Sequence, residues 1–286
     1  MTMKFVHVAF CISLLFSINC YSADLSSKCF DRFVNFDLPF EIYGEDSWYI
    51  KAIQPLKEGY ESSTDGVLFI EKADQVSVAP LCNGNFVAVW TFSHAKFPVP
   101  LTGRIFNSQF KTVCADFFIS GKSETEDWEH SVSALYDDGF VVTWKTWKTR
   151  ARKEIKLRAR IFDNAGKPRG EPFDIYSVGV NNGCLVYGLP KGGFVVVWHN
   201  FDNFGEHIGK ALLRVFDKKG IPKTEGVPIA LDNKECTLKP KGYISKAGNI
   251  NIFMTCQTHH SARSFNEEGK ALTGVLVGEH IKSIDW

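Results

Sequence analysis

Three times along this chain the same five positions turn apolar together: Phe86-Val-Ala-Val-Trp90, Phe140-Val-Val-Thr-Trp144 and Phe194-Val-Val-Val-Trp198, spaced by 54 residues. A phrase repeated at a fixed period of this size marks a repeat architecture. No segment of the chain shows a helical period. The apolar residues are consecutive, not alternating, which suits an inner strand of a sheet sandwiched between neighbouring sheets.

What flanks the phrase repeats too. A turn precedes each strand, at Asn83-Gly84-Asn85, Asp137-Asp138-Gly139 and Lys191-Gly192-Gly193. Glycine and asparagine tolerate the positive φ that tight hairpins demand. Upstream of each turn lies a further apolar run, at Val76-Ser-Val-Ala79, Val132-Ser-Ala-Leu-Tyr136 and Cys184-Leu-Val-Tyr187, so each unit begins as a hairpin. Downstream comes Arg-x-Phe followed by Asn or Asp, at Arg104–Asn107, Arg160–Asp163, Arg214–Asp217 and Arg263–Asn266, with glycine three residues on at Gly166, Gly220 and Gly269. An Asx residue followed by a left-handed glycine suits a tight hairpin with a bulge. Fourth strands are expected at Asp116–Ile119, Pro172–Tyr176, Val227–Leu231 and Gly274–Val277.

Four short antiparallel strands repeated in this way are the unit of a β-propeller. The fold expected is therefore all-β, a single β-propeller. The ends set the blade count. Phe33–Phe36, Trp48–Ile53 and Gly66–Ile70 are strand-like, and so is the tail Ile281–Trp286. Together they make one further blade, its first strand supplied by the end of the chain. That arrangement closes the ring and removes open edges. Five blades follow, with four blades plus an N-terminal extension as the alternative.

The Gly-Gly-Phe-Val-Val-x-Trp strand followed by Arg-x-Phe-Asp-x-x-Gly resembles the tandem repeats of secreted or surface proteins of bacteria and protists. The resemblance covers residues 76–270 and is best over 137–220. It fades in the fourth unit, where Asn249-Ile-Asn-Ile-Phe-Met-Thr255 replaces the tryptophan strand. It implies a propeller-like fold with an adhesive or unassigned role, and no catalytic residues. Asp137–Trp144 also resembles the Asp-box of sialidase-like propellers, but out of register, and that box is itself a structural turn.

The first 22 residues read as a secretory signal peptide: one charge at Lys4, an apolar run over Val6–Ile18, and small residues before Ala23. The run is short for a membrane span. An uncleaved anchor is the rival reading, and a lipoprotein reading at Cys20 lacks a good lipobox. A propeller domain over residues 23–286, secreted or periplasmic, is expected, with no span in the mature chain. Its basic and acidic residues balance once Lys4 is removed. A balanced chain has no global field for nucleic acid, which makes that partner a poor fit. Six cysteines remain: Cys29, Cys82, Cys114, Cys184, Cys236 and Cys256. An even count in an exported chain favours disulfides. Cys236 and Cys256 lie symmetrically about the Ser245–Gly248 turn, so a bridge is expected there. Their spacings fit no zinc pattern, and His199, His207, His259 and His260 form no credible metal site, since adjacent histidines on a strand point apart. No metal or other cofactor is implied.

Chemistry stands out at one place. Residues 145–160 hold eight basic side chains against Glu154 alone, and the matching connections in the other units show no such excess. Trp147, Lys148, Arg150, Arg152, Lys153 and Lys156 are the candidate ligand residues, suited to a glycan, an anionic polymer or a protein. The competing expectation is a solvated hairpin paired with the acidic stretch Glu124–Glu129. The repeated tryptophans are expected in the core, and the repeated arginines are expected to link neighbouring blades or lie exposed. No catalytic residue is assigned. Glu41, Asp46, Asp138 and Asp174 are scattered carboxylates that no motif selects for glycoside hydrolysis. The expected function is an exported binding module. The alternatives are a glycoside hydrolase-like propeller enzyme and a non-catalytic envelope component.

Overall fold

A computed structural model describes residues 40–43, 48–52, 67–70, 73–92, 101–109, 111–121, 125–148, 155–176, 180–201, 209–229, 240–245, 247–255 and 260–278. They form one three-stranded and four four-stranded sheets, all antiparallel and in chain order. The three-stranded sheet holds β1 (Phe40–Tyr43), β2 (Trp48–Ala52) and β3 (Val67–Ile70). The next holds β4 (Ala73–Pro80), β5 (Phe86–Phe92), β6 (Thr102–Phe106) and β7 (Phe117–Phe118). Then come β8 (Thr125–Leu135), β9 (Gly139–Lys148), β10 (Ile155–Asp163) and β11 (Phe173–Tyr176). The fourth sheet is β12 (Val180–Gly188), β13 (Phe194–Phe201), β14 (Gly209–Phe216) and β15 (Val227–Pro228). The last is β16 (Lys241–Ile244), β17 (Ile250–Thr255), β18 (His260–Phe265) and β19 (Leu276–Gly278). There is no helix among the described residues.

The repeated phrase is the second strand of its sheet, paired on both sides. Its phenylalanine stacks on the phenylalanine of Arg-x-Phe in the third strand. The ring centroids lie 5.3 Å apart for Phe86–Phe106, 5.0 Å for Phe140–Phe162 and 5.0 Å for Phe194–Phe216. The Asx residue that follows closes the next hairpin with its side chain. Asp163 Oδ1 accepts from the amides of Ala165 (2.9 Å) and Lys167 (2.8 Å), and Asp217 Oδ1 does the same for Lys219 and Ile221 at 2.8 Å. Asn107 and Asn266 repeat the arrangement.

The core lies between sheets, not within them. Alternation along one strand sends Phe194, Val196 and Trp198 toward the preceding sheet and Val195 and Val197 toward the following one. Trp90, Trp144 and Trp198 are all fully buried, so they are core and not platforms for a sugar. Each removes roughly 200 Å² from water, about 5 kcal/mol as an upper figure.

The repeated arginine ties one sheet to the next. Arg160 Nη1 donates to the Ile119 carbonyl (3.1 Å), Arg214 Nη1 to that of Ile175 (3.0 Å) and Arg263 Nη1 to that of Pro228 (3.1 Å), each acceptor belonging to the preceding sheet's outer end. The Nε of the same groups donates within the sheet, to Gly170 (2.9 Å), Thr224 (2.8 Å) and Thr273 (3.4 Å). Each guanidinium also lies over the phenylalanine two residues on, at 5.7, 5.7 and 5.3 Å. The expected link between sheets is thus made to carbonyl oxygens. The acids that pair with these arginines, Glu171 and Glu225, belong to their own sheets.

Three expectations change. The first described strand of the N-terminal sheet is Phe40–Tyr43, a segment not expected as a strand, while the expected Phe33–Phe36 lies outside the described residues. Two of the fourth strands, β7 and β15, are only two residues long, although the amides of Ile119 and Ile229 just beyond them still donate to the Leu101 (2.8 Å) and Ala211 (2.9 Å) carbonyls. Disulfides do not take every cysteine: Cys114 is a free thiol, and Cys184 Sγ donates to the Glu129 carbonyl at 2.8 Å. Cys236, Cys256 and the tail Ile281–Trp286 lie outside the described residues.

Candidate functional site

Each four-stranded sheet has two unlike ends. The hairpins that follow the first and third strands are short and stereotyped, as described above. At the opposite end the connections 93–100, 149–154, 202–208 and 256–259 lead from second to third strands and lie outside the described residues. At this loop end the first strands break register. A bulge falls between Ala73 and Gln75 in β4, between Trp128 and Ser131 in β8, and between Asn182 and Cys184 in β12. These first strands also pack against one another, β4 on β8, β8 on β12 and β12 on β16, so the bulges gather along one edge of the molecule.

The bulge in β8 is the most elaborate. Glu129 sits at φ 49°, in the left-handed region that only glycine, asparagine and aspartate visit readily. Its amide donates to Gln75 Oε1 in β4 (3.1 Å), and its carbonyl accepts from Cys184 Sγ in β12 (2.8 Å). His130 Nε2 lies 3.2 Å from the Gln75 carbonyl, and Ser77 Oγ donates to the His130 carbonyl at 3.1 Å. Both neighbouring sheets therefore hold the strained residue in place. The Glu129 carboxylate meets Lys145 Nζ at 3.2 Å.

A second acid, Asp127, is buried one step away. Burial pushes its carboxyl above the ordinary range, opposed by the nearby Ser120 hydroxyl, the Leu101 amide and the charge of Arg158. Ser120 and Leu101 belong to the preceding sheet, so Asp127 is a tie between sheets. Glu129 pairs with Lys145 and Asp127 with Thr146, and consecutive residues of β9 point to opposite faces. The two carboxyls are thus on opposite sides of the sheet. They cannot flank one glycosidic bond, as a hydrolytic pair must.

The residues expected to bind ligand divide between strand and loop. Trp147 and Lys148 end β9, Lys156 lies near the start of β10, and Arg150, Arg152 and Lys153 lie outside the described residues. Lys156 Nζ meets Asp174 Oδ2 at 2.8 Å, and Arg158 Nε meets the other oxygen of the same carboxylate at 3.0 Å. These contacts hold Asp174 below its ordinary range against the burial that opposes them. With Lys145 on Glu129 and Arg160 near Glu171, the strand half of the basic segment is compensated within its own sheet.

Sequence reasoning missed the layer that Lys145 belongs to. Thr91, Lys145 and His199 each follow the repeated tryptophan, and all three are buried at the loop end. The signal was available: it is the position beside an invariant residue whose character changes in every unit.

No protein-family model matches this chain, and no curated protein sequence does. Among solved structures, it is similar to a protein of unknown function from Dyadobacter fermentans, at 13% identity and a TM-score of 0.54, over 72% of this chain and 68% of that one. An α-L-arabinofuranosidase from Lactobacillus brevis follows at 10% identity and 0.47, over 73% of each chain. A levansucrase variant from B. megaterium stands at 10% and 0.47, over 89% of this chain and 80% of the other. No helix among the described residues is long and apolar enough to cross a membrane. At 13% identity the likeness to the first of these is one of fold alone.

Proposed function

We propose that this chain is an exported binding module, a five-bladed propeller that takes an anionic glycan at its loop end. The signal-like N-terminus supports export. The observation that carries the binding site is the division of charge in residues 145–160. Lys145, Lys156, Arg158 and Arg160 meet the carboxylates of Glu129, Asp174 and Glu171 within their own sheet. Lys148, Arg150, Arg152 and Lys153 follow one another across the connection, with only Glu154 among them. Such a concentration on a single connection attracts a polyanion without any net charge on the whole chain.

Two observations support the ring. The outward faces of the four-sheet stack are buried at both ends, at Phe86 and Trp90 on one side and Asn251 and Ala262 on the other. At the N-terminal junction β4 packs on β2, although first strand packs on first strand at the other three. The place beside β1 is therefore suited to one more strand, and Ile281–Trp286 has the apolar content to fill it.

Heparin retention tests the reading. The parent chain should be held at physiological salt, and R150A/R152A/K153A should elute earlier with a shallower salt dependence. Equal elution of the two, or no retention of the parent, would refute it.

A further inference from the structure

The residue after the repeated tryptophan is where the repeat stops being uniform, and only one sheet places a permanent charge there. Thr91 and His199 show that the fold accepts a hydroxyl or an imidazole at this point. Lys145 adds a buried ammonium and requires a carboxylate to answer it. A pair of this kind is seldom the most stable filling for its place, because desolvation offsets the attraction. Architecture alone does not call for it.

The carboxylate is also held in a strained position. Glu129 occupies a left-handed backbone conformation fixed from both sides, by Gln75 at its amide and Cys184 at its carbonyl. Strain held in place by the surroundings is characteristic of ligand sites, and bulges commonly re-aim a side chain. The pair stays within reach of solvent, since the Glu129 side chain is 20% exposed and that of Lys145 10%. It lies at the loop end, on the edge where the first strands meet and at the foot of the basic connection.

We propose that Glu129 and Lys145 together recognise one sugar ring of the bound glycan through two adjacent hydroxyls. This rests on the glycan-binding reading and adds the chemistry of selection. The carboxylate accepts from one hydroxyl, and the ammonium donates to the oxygen of its neighbour. Nζ and Oε1 lie 3.2 Å apart, near enough to the spacing of two gauche oxygens on a pyranose for each hydroxyl to meet its own partner. A ligand whose hydroxyls point elsewhere leaves a buried charge poorly solvated and is rejected. The basic connection attracts polyanions in general, and the pair chooses among sugars by stereochemistry.

The test is calorimetry on the full mature chain with a panel of neutral oligosaccharides (gluco-, manno- and chito-configured), alongside heparin retention. The parent should bind one configuration in preference to the others. E129Q/K145M, which removes both charges and keeps the shape, should lose at least about tenfold in that affinity while its heparin elution holds. K145R keeps the ion pair but changes the donor geometry. It should melt with the parent and still lose the preference, which decides the matter should the double variant fail to fold. Binding of no neutral sugar by the parent, or equal affinity in parent and variants, would overturn the proposal. A parent that ignores heparin yet binds a neutral sugar through the pair would overturn the polyanion reading and leave this one standing.

Discussion

Arg214 Nη1 donates to the carbonyl of Ile175, 3.0 Å away on the outer strand of the preceding sheet, while its Nε donates to Thr224 within its own hairpin at 2.8 Å. One planar group thus fixes the angle between two sheets. An ammonium cannot span both acceptors in this way. Arg214→Ala should cost up to about 3–6 kcal/mol, the worth of two hydrogen bonds from a charged donor, and Arg214→Lys should recover only part of it. Thermal melting of both variants checks this. Equal melting of the lysine variant and the parent would show that charge suffices and the fork is idle.

Phe117 supplies the next constraint. It packs on Phe140 and Phe162 of the following sheet, with ring centroids 6.1 and 5.6 Å away. Its edge also closes over the turn glycine there, so a Cβ on Gly166 would fall 2.7 Å from Phe117 Cε1. Gly166 has φ +80° as well. Gly166→Ala therefore meets backbone strain of about 1–2 kcal/mol and overpacking of about 1–3 kcal/mol. Gly170, with nothing within 4 Å of its added Cβ, serves as the control. G166A should melt well below G170A, and a matching pair of melting curves would refute the account.

The repeat made most of this architecture readable. The tryptophan strand, the arginine two residues before its phenylalanine and the Asx–glycine turn each carry a sequence signature, because the same contacts recur from unit to unit, the arginine link at three junctions. The site carries no such signature. Glu129 is ordinary in sequence, and its φ is imposed by Gln75 and Cys184, each more than 50 residues away. Lys145 reads as one member of a basic run, and only the fold shows that it turns inward while Lys156 and Arg158 turn to Asp174. The Asp127 contact with Ser120 depends on which sheet stands next to which, and that lies beyond local pattern.

Asp127 makes stability depend on pH. Burial raises its folded-state pKa above the ordinary 3.8, so the native state holds this proton more tightly than the unfolded chain. The stability it contributes is complete below 3.8 and is lost as pH rises through the folded value. Asp127→Asn keeps an acceptor for the Ser120 hydroxyl and has no proton to lose. From about pH 4 to about pH 7 the variant's melting temperature should fall less than the parent's, leaving it the more stable at neutral pH. Parallel profiles would show that Asp127 titrates as it does in the unfolded chain.

The ring closure proposed above makes the strongest demand on the end of the chain. The residues after β19 contain Ile281, Ile284 and Trp286, and among the described residues the N-terminal sheet has three strands where each of the others has four. Burying two isoleucines and a tryptophan corresponds to roughly 5 kcal/mol or more, comparable with the whole stability of a domain. Deleting residues 281–286 should expose a bare strand edge and the apolar surface beside it. The truncated protein should aggregate or melt far below the parent. A milder variant separates the strand from its mere presence: I281D/I284D keeps the chain length but places charges on the seam, and it should fail in the same way. Substituting Lys282 and Ser283, the polar residues between those isoleucines, with alanine should leave melting within about 0.5 kcal/mol of the parent. Normal solubility and unchanged melting in the truncated protein would reject closure by the tail, and the five-blade count with it.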